Sequence, residues 1–305
     1  MTAATAPAPV RATGIRRRRF ARGATPYLLS LAGVAWLAFF FLVPLVSGLL
    51  VSLMTGNPDD GYQLTWNWHI YVDLFTGPTP YGTYLTRSFV YGCTATLLTI
   101  VIAYPVAYYI AFRVSPRWKS TLLTFVMMTF FVSFIIRTDM WFYLLGGDGP
   151  ISRLLRTVHL TRPGQSILAT PGSVIGGMVY NDLAFMILPI YVALERIEPS
   201  LHEAANDLYA RRSSTFFRVT VPLSRSGVFA GILLVLIDTV GDPVNSSILG
   251  GKNTWTIGQS IQFAYFTNQQ YNVAAALSTV LMVLLGIVLF AYARVVGTEN
   301  VEELV

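Results

Sequence analysis

Residues 198–222 read EPSLHEAANDLYARRSSTFFRVTVP, a charged stretch between two runs apolar enough to cross a membrane. MVYNDLAFMILPIYVAL (178–194) precedes it and GVFAGILLVLIDTV (227–240) follows. Ser200 and Glu203 have the S-x-x-E spacing of a capping box, with Pro199 just ahead of the cap, so a helix is expected to start there. Leu201, Ala204, Ala205 and Leu208 recur at helical spacing and give that helix one narrow apolar face. Ser213 or Ser214 can cap a second short helix carrying Phe216, Phe217 and Val219 and ending near Pro222. The pattern alone fits an amphipathic helix on a leaflet surface as well as a docking helix for a groove on a soluble partner.

The rest of the chain points to the bilayer. Of its 305 residues, 54% are hydrophobic and 12% charged, against about 25% charged in a soluble domain. No charge occurs between Arg22 and Asp59, between Arg87 and Arg113, or between Lys252 and Arg294, each gap exceeding the ~20 residues of a spanning helix. Six spans are expected, near 28–54, 88–112, 120–145, 172–195, 226–249 and 272–293. The first is too long an apolar run for a cleaved signal and reads as a retained helix. With the N-terminus inside, 15 of the 21 basic residues fall on the cytoplasmic side, as orientation by Lys and Arg requires. The tract IRRRRFAR (15–22) is then a topology anchor beside anionic lipid, and nucleic acid is not an expected partner. Residues 1–25 thus read as a basic cytoplasmic tail, and 26–305 as an all-α transmembrane domain with a cytoplasmic loop at 196–225.

Several function classes are excluded. Cys93, the only cysteine, falls mid-span, so a disulfide framework is not available within the chain. There is no HExxH, no GxSxG and no Cys/His cluster, and His69, His159 and His202 lie in separate loops. The nearest approach to a phosphate loop, GGKN (250–253), lacks the upstream Gly and the hydroxyl residue after Lys. Neither an enzyme nor a metal site is expected, and ATP, if used, belongs to another chain.

The 198–222 stretch resembles the EAA loop of binding-protein-dependent ABC importer permeases. Glu203, Ala204, Ala205, Ala210, Phe216, Val219 and Pro222 fall in register with that pattern, while the family's Gly is Tyr209 here. The resemblance extends over about 85–295 through IIRTDMWFYLLGGDGPIS (135–152), GDPVNSSILGG (241–251), TIGQSIQFAYF (256–266) and AAALS (274–278). It is strongest to the spermidine/putrescine branch, with Asp139 and Asp182 standing where that branch carries aromatics.

The resemblance implies a type I importer permease fold of six spans with both termini cytoplasmic, in a bacterial inner membrane. It also implies a second permease subunit, an ATPase dimer holding ATP and magnesium, and an extracytoplasmic substrate-binding protein. Residues 198–222 become the coupling segment: Ser200, Glu203, Ala204, Ala205, Tyr209, Ala210, Arg211, Phe216 and Pro222 face or shape the ATPase contact, with Arg212 beside Arg211, both of which also read, as inner-loop arginines more often do, as topology or lipid charges. Glu203 has a second reading, as a purely structural member of the capping box.

Charges inside spans mark a pathway or a pair. Asp182, Asp238 and Asp242 qualify, as do Arg137 and Asp139 near the outer end of the third span; Arg137 paired with Asp182 is the structural alternative. Asp242 falls where GDP breaks the fifth span, a place for backbone lining a cavity. Spaced carboxylates with the aromatics Trp141, Tyr143, Tyr180 and Trp255 suit a polyamine. The same aromatics fit an interface belt equally. Rival readings are an ABC permease for an opine, a sugar or ferric ion, and a proton-coupled secondary carrier, against which no inverted repeat is visible.

Overall fold

The structure is a computed structural model and describes residues 25–158 and 166–302. The basic tail (Arg11 to Arg22) and His159 lie outside the described residues. The chain divides into two compact units, 1–47 and 48–305. The described part of the first is most of α1 (Thr25–Ser52), an uncharged helix in which the Trp36 and Phe40 rings meet at a tilt, 4.4 Å between centroids.

In the second unit a short antiparallel hairpin follows, β1 (Met54–Asn57) on β2 (Gly61–Leu64), with Met54 opposite Leu64. All other elements are helical: α2 (His69–Thr76), α3 (Tyr81–Phe112), α4 (Pro116–Met128), α5 (Phe134–Leu145), α6 (Pro150–Thr157), α7 (Pro171–Glu195), α8 (Pro199–Asp207), α9 (Arg212–Thr215), α10 (Val221–Gly241), α11 (Val244–Leu249), α12 (Ile257–Phe266) and α13 (Tyr271–Glu302). A 3₁₀ turn, Thr129–Phe131, extends α4.

The core is built on α7. Its Met186, Ile187, Ile190, Tyr191 and Leu194 pack with Ala103, Ala107 and Ile110 of α3 and Val235 of α10. Small residues bring these helices close, as packing without a hydrophobic drive requires: a Cβ on Gly227 of α10 would stand 2.4 Å from the Pro189 carbonyl oxygen. A second cluster joins α2, α12 and α13 through Ile70, Leu74, Ile257, Ala276 and Leu277. The outward faces, Leu97 and Val101 of α3 or Ile287 and Phe290 of α13, are open and apolar, a surface suited to lipid.

Two of the expected spans are built differently. The third is a helix pair bent by 94° at Val132–Ser133, where the backbone turns extended at φ −93°, ψ 131° and φ −54°, ψ 132°. The fifth does not reach 249: α10 ends at Gly241, and α11 begins beyond Asp242 and Pro243. The break at GDP stands where the sequence puts it. Gly258 permits it, because a Cβ there would meet the Gly241 carbonyl oxygen at 2.4 Å.

Candidate functional site

Two sites emerge, one in the 198–222 segment and one at the break after α10. In the segment, α8 starts two residues earlier than the capping box requires. Pro199 takes the first helical position, which its fixed φ favours, and Glu198 becomes the cap without a side-chain bond to the backbone. Ser200 therefore lies inside the helix and donates to Glu198 Oε2 at 3.2 Å. Glu203 is too deep in the helix to reach back; it is exposed and has no side-chain partner among the described residues.

The end of α8 explains Tyr209. Its N–H donates to Asn206 O at 2.9 Å and that of Ala210 to Ala205 O at 3.0 Å, the paired bonds of a Schellman motif. Such an end needs a left-handed residue, and Tyr209 has φ +54°. The bend is thus the one a glycine would make, formed by a residue with a Cβ at a cost of about 1–2 kcal/mol. The ring is 96% exposed and packs on nothing that offsets this cost.

Only Ala210 links this turn to the next helix, so α9 starts at Arg212 with Arg211 as its cap; Ser213 and Ser214 are inside it and cap nothing. Pro222 does not end that helix either. The turn Phe216–Thr220 widens to a π-helix, with Val221 N–H reaching Phe216 O, and runs unbroken into α10. The wider turn accommodates a proline ring and its missing N–H.

Phe216 anchors the segment, lying edge-on to Tyr104 and Tyr108 of α3 at 5.6 and 5.4 Å. His202 adds a ring contact to Phe112 at 5.0 Å and a bond to Thr220 Oγ1 at 3.2 Å. His202 and Ala205 turn toward the bundle; Leu201, Ala204, Leu208 and Tyr209 are exposed. The apolar face read in the sequence is therefore largely turned outward and left bare, with Glu203 and Arg211 beside it.

The second site lies on a cavity of 620 Å³ lined by Phe130, Phe134, Arg137, Phe185, Asp238 and Asp242, among others. Asp238 is exposed to it, while Asp182 is buried beside Asp238. Asp242 has a different role. Its Oδ1 accepts Val244 N–H at 2.7 Å, and its Oδ2 accepts Asn245 N–H at 3.2 Å and the Asn245 amide at 2.7 Å. It caps α11 and holds the break open, so of the three acids it is the one whose oxygens are taken.

Arg137 does not pair with Asp182: among the described residues no carboxylate forms an ion pair with it. Its Nη1 donates to Asn181 O at 3.4 Å, and its buried Nε has no partner; nor has Asp182 Oδ1. Arg137 also lines a smaller cavity of 250 Å³ with Trp141 and Tyr180, whose rings meet edge-on at 5.4 Å. Asp139, two residues on, faces away and lines neither cavity. Tyr143 is exposed, and Trp255 packs on Phe263 at 5.3 Å, away from both cavities.

Sequence reasoning missed the amides that join these pieces. Asn181 of α7 donates to Thr138 of α5 at 2.9 Å and to Asn245 of α11 at 3.2 Å. The signal was present as Asn181 beside Asp182 within an apolar run, since a buried amide must find partners.

Apolar spans, one of them broken at an acid-lined cavity, define a polytopic membrane permease. Residues 103–298 match the family described as "Binding-protein-dependent transport system inner membrane component". The chain belongs to this family, and it is a multi-pass bacterial inner-membrane protein and a transport component rather than an enzyme. It is 32% identical over 260 residues to the spermidine/putrescine transport system permease protein PotB of Haemophilus influenzae, covering 85% of this chain and 90% of that protein. Against PotB of Escherichia coli K12 the identity is 29%, covering 86% and 94%. Its fold is shared with a bacterial alginate ABC transporter, solved with an alginate pentasaccharide-bound periplasmic protein (TM-score 0.67, 18% identity, 90% and 94% covered). The MetNI methionine ABC transporter is similar at TM-score 0.54 and 19% identity, covering 72% and 95%.

Proposed function

We propose that this chain forms half of the translocation path of an ATP-driven polyamine importer and takes up the ATPase stroke through α8. Its partners are a second permease subunit, an ATPase dimer that alone holds ATP and magnesium, and an external binding protein. Residues 196–225 then face the cytoplasm. One observation carries the reading: a cavity at a broken span in which Asp238 is open and Asp242 holds the break, with the relatives' names beside it. A chain of ammonium groups is attracted by carboxylates and aromatic faces, whereas an anionic or neutral solute gains nothing from acids at membrane depth.

On the other side, the bare face of α8, with Leu201, Leu208 and Tyr209 outward, suits a groove on the ATPase. Its anchoring through Phe216 to α3 carries displacement of the groove into the spans as rigid-body motion.

The test is uptake of labelled spermidine into proteoliposomes holding the assembled transporter, challenged with excess putrescine, an opine, a sugar or ferric ion. Competition by putrescine alone is expected. Competition by a sugar or ferric ion instead, or uptake that persists without the ATPase, overturns the reading.

A further inference from the structure

Beneath α8 is a cavity that neither role above uses. It measures 380 Å³ and is lined by Phe112 and Arg113 from the end of α3, His202 and Asn206 from α8, and Arg212 and Phe216 from the segment beyond; none of its described lining residues is acidic. Neither the Arg113 nor the Arg212 side chain has a hydrogen-bond or ion-pair partner among the described residues. Two guanidinium groups lining one cavity make it basic, and an anion held by both gains charge-assisted hydrogen bonds. Arginine's planar fork matches a phosphate in particular.

The level of the cavity narrows the ligand further. Arg113 directly follows the apolar span that ends at Phe112, where hydrocarbon gives way to headgroups, and basic recesses between helices at that level suit anionic headgroups. Phe112 and Phe216 give the recess apolar walls beside its charges.

We propose that this recess binds a phosphate-bearing anion, clamped by Arg113 and Arg212 with the Asn206 amide as a neutral partner. Because His202 and Asn206 belong to α8, the bound phosphate ties α8 to the end of α3. That binding stands on the geometry alone; only its effect on coupling rests on the function proposed above.

The test uses the full chain in mixed micelles, with retained lipid counted by native mass spectrometry. Phosphatidylglycerol is expected to be retained over phosphatidylcholine. Arg113→Gln and Arg212→Gln should each weaken retention about tenfold, the worth of one charged hydrogen bond. Asn206→Asp, which sets a carboxylate between the arginines without removing either, should also release the lipid, while Arg117→Gln outside the recess should not. Lipid displaced by millimolar inorganic phosphate identifies free phosphate as the ligand, and lipid that resists it identifies the headgroup. Equal retention in wild type, both arginine variants and Asn206→Asp overturns the proposal. So does loss of ATPase co-purification with lipid retention unchanged, which would mean the arginines receive an acidic side chain of that subunit.

Discussion

The segment around α8 and the break after α10 are both polar interruptions of an apolar bundle, yet they handle their polar groups in opposite ways. At the break the buried side chains bond mostly to one another: Thr138, Asn181, Asn245 and Asp242 link α5, α7 and α11, while Arg137 Nε, Asn181 Oδ1 and Asp182 Oδ1 beside them have no partner among the described residues. Around α8 the network is open, with Glu203 unpartnered and Leu208 and Tyr209 82% and 96% exposed. Groups buried without water must be satisfied internally, whereas an outward face can leave its partners to another chain. The inter-helix bonds at one site tie the broken span to its neighbours, and at the other an apolar face is left bare.

Replacing the cap at the break should separate the acids most sharply. Asp242→Ala leaves Val244 N–H, Asn245 N–H and the Asn245 amide without their acceptor in a buried place, costing about 3 kcal/mol. The expected result is a marked fall in thermal stability and yield, whereas Asp238→Ala, which opens no such gap, should leave both near wild type. Equal stability of the two variants, in a detergent melting assay, breaks the contrast.

On the open side the anchor comes next. Phe216→Ala removes the ring between Tyr104 and Tyr108 and should cost about 2 kcal/mol. Faster proteolysis at 198–222 with unchanged insertion is the expected readout. Protection equal to wild type would show that the segment is held by something else.

The smallest effect has the opposite sign. Tyr209→Gly should stabilise the segment by up to about 1 kcal/mol, since glycine adopts the left-handed conformation without steric cost. Hydrogen exchange at Ala210 should slow. If stability falls instead, the exposed ring has a partner that the bare chain lacks.

Much of this contrast is legible in the sequence, where the cause is local. Pro243 next to Gly241 and Asp242 marks the broken span, and the register of Glu203 to Pro222 marks the segment. Other features depend on tertiary context. The 94° bend occurs in FFVSF (130–134), without a glycine or proline to signal it. The π turn appears only once Pro222 must continue a helix that α10 needs. Asp182, Asp238 and Asp242 look alike as charges in spans, and only the fold reveals which has its oxygens engaged. Asp139 carries the same signal, a charge within a span, yet it lines neither cavity.

The most direct test of two separate sites is a paired measurement in the reconstituted complex: ATP hydrolysis stimulated by loaded binding protein, and spermidine uptake. Asp238→Asn should keep stimulated hydrolysis while uptake falls at least about tenfold, equivalent to 1.4 kcal/mol. Glu203→Ala should insert normally and lose both. Normal uptake by Asp238→Asn, or normal stimulation in Glu203→Ala, would contradict the division between path and coupling.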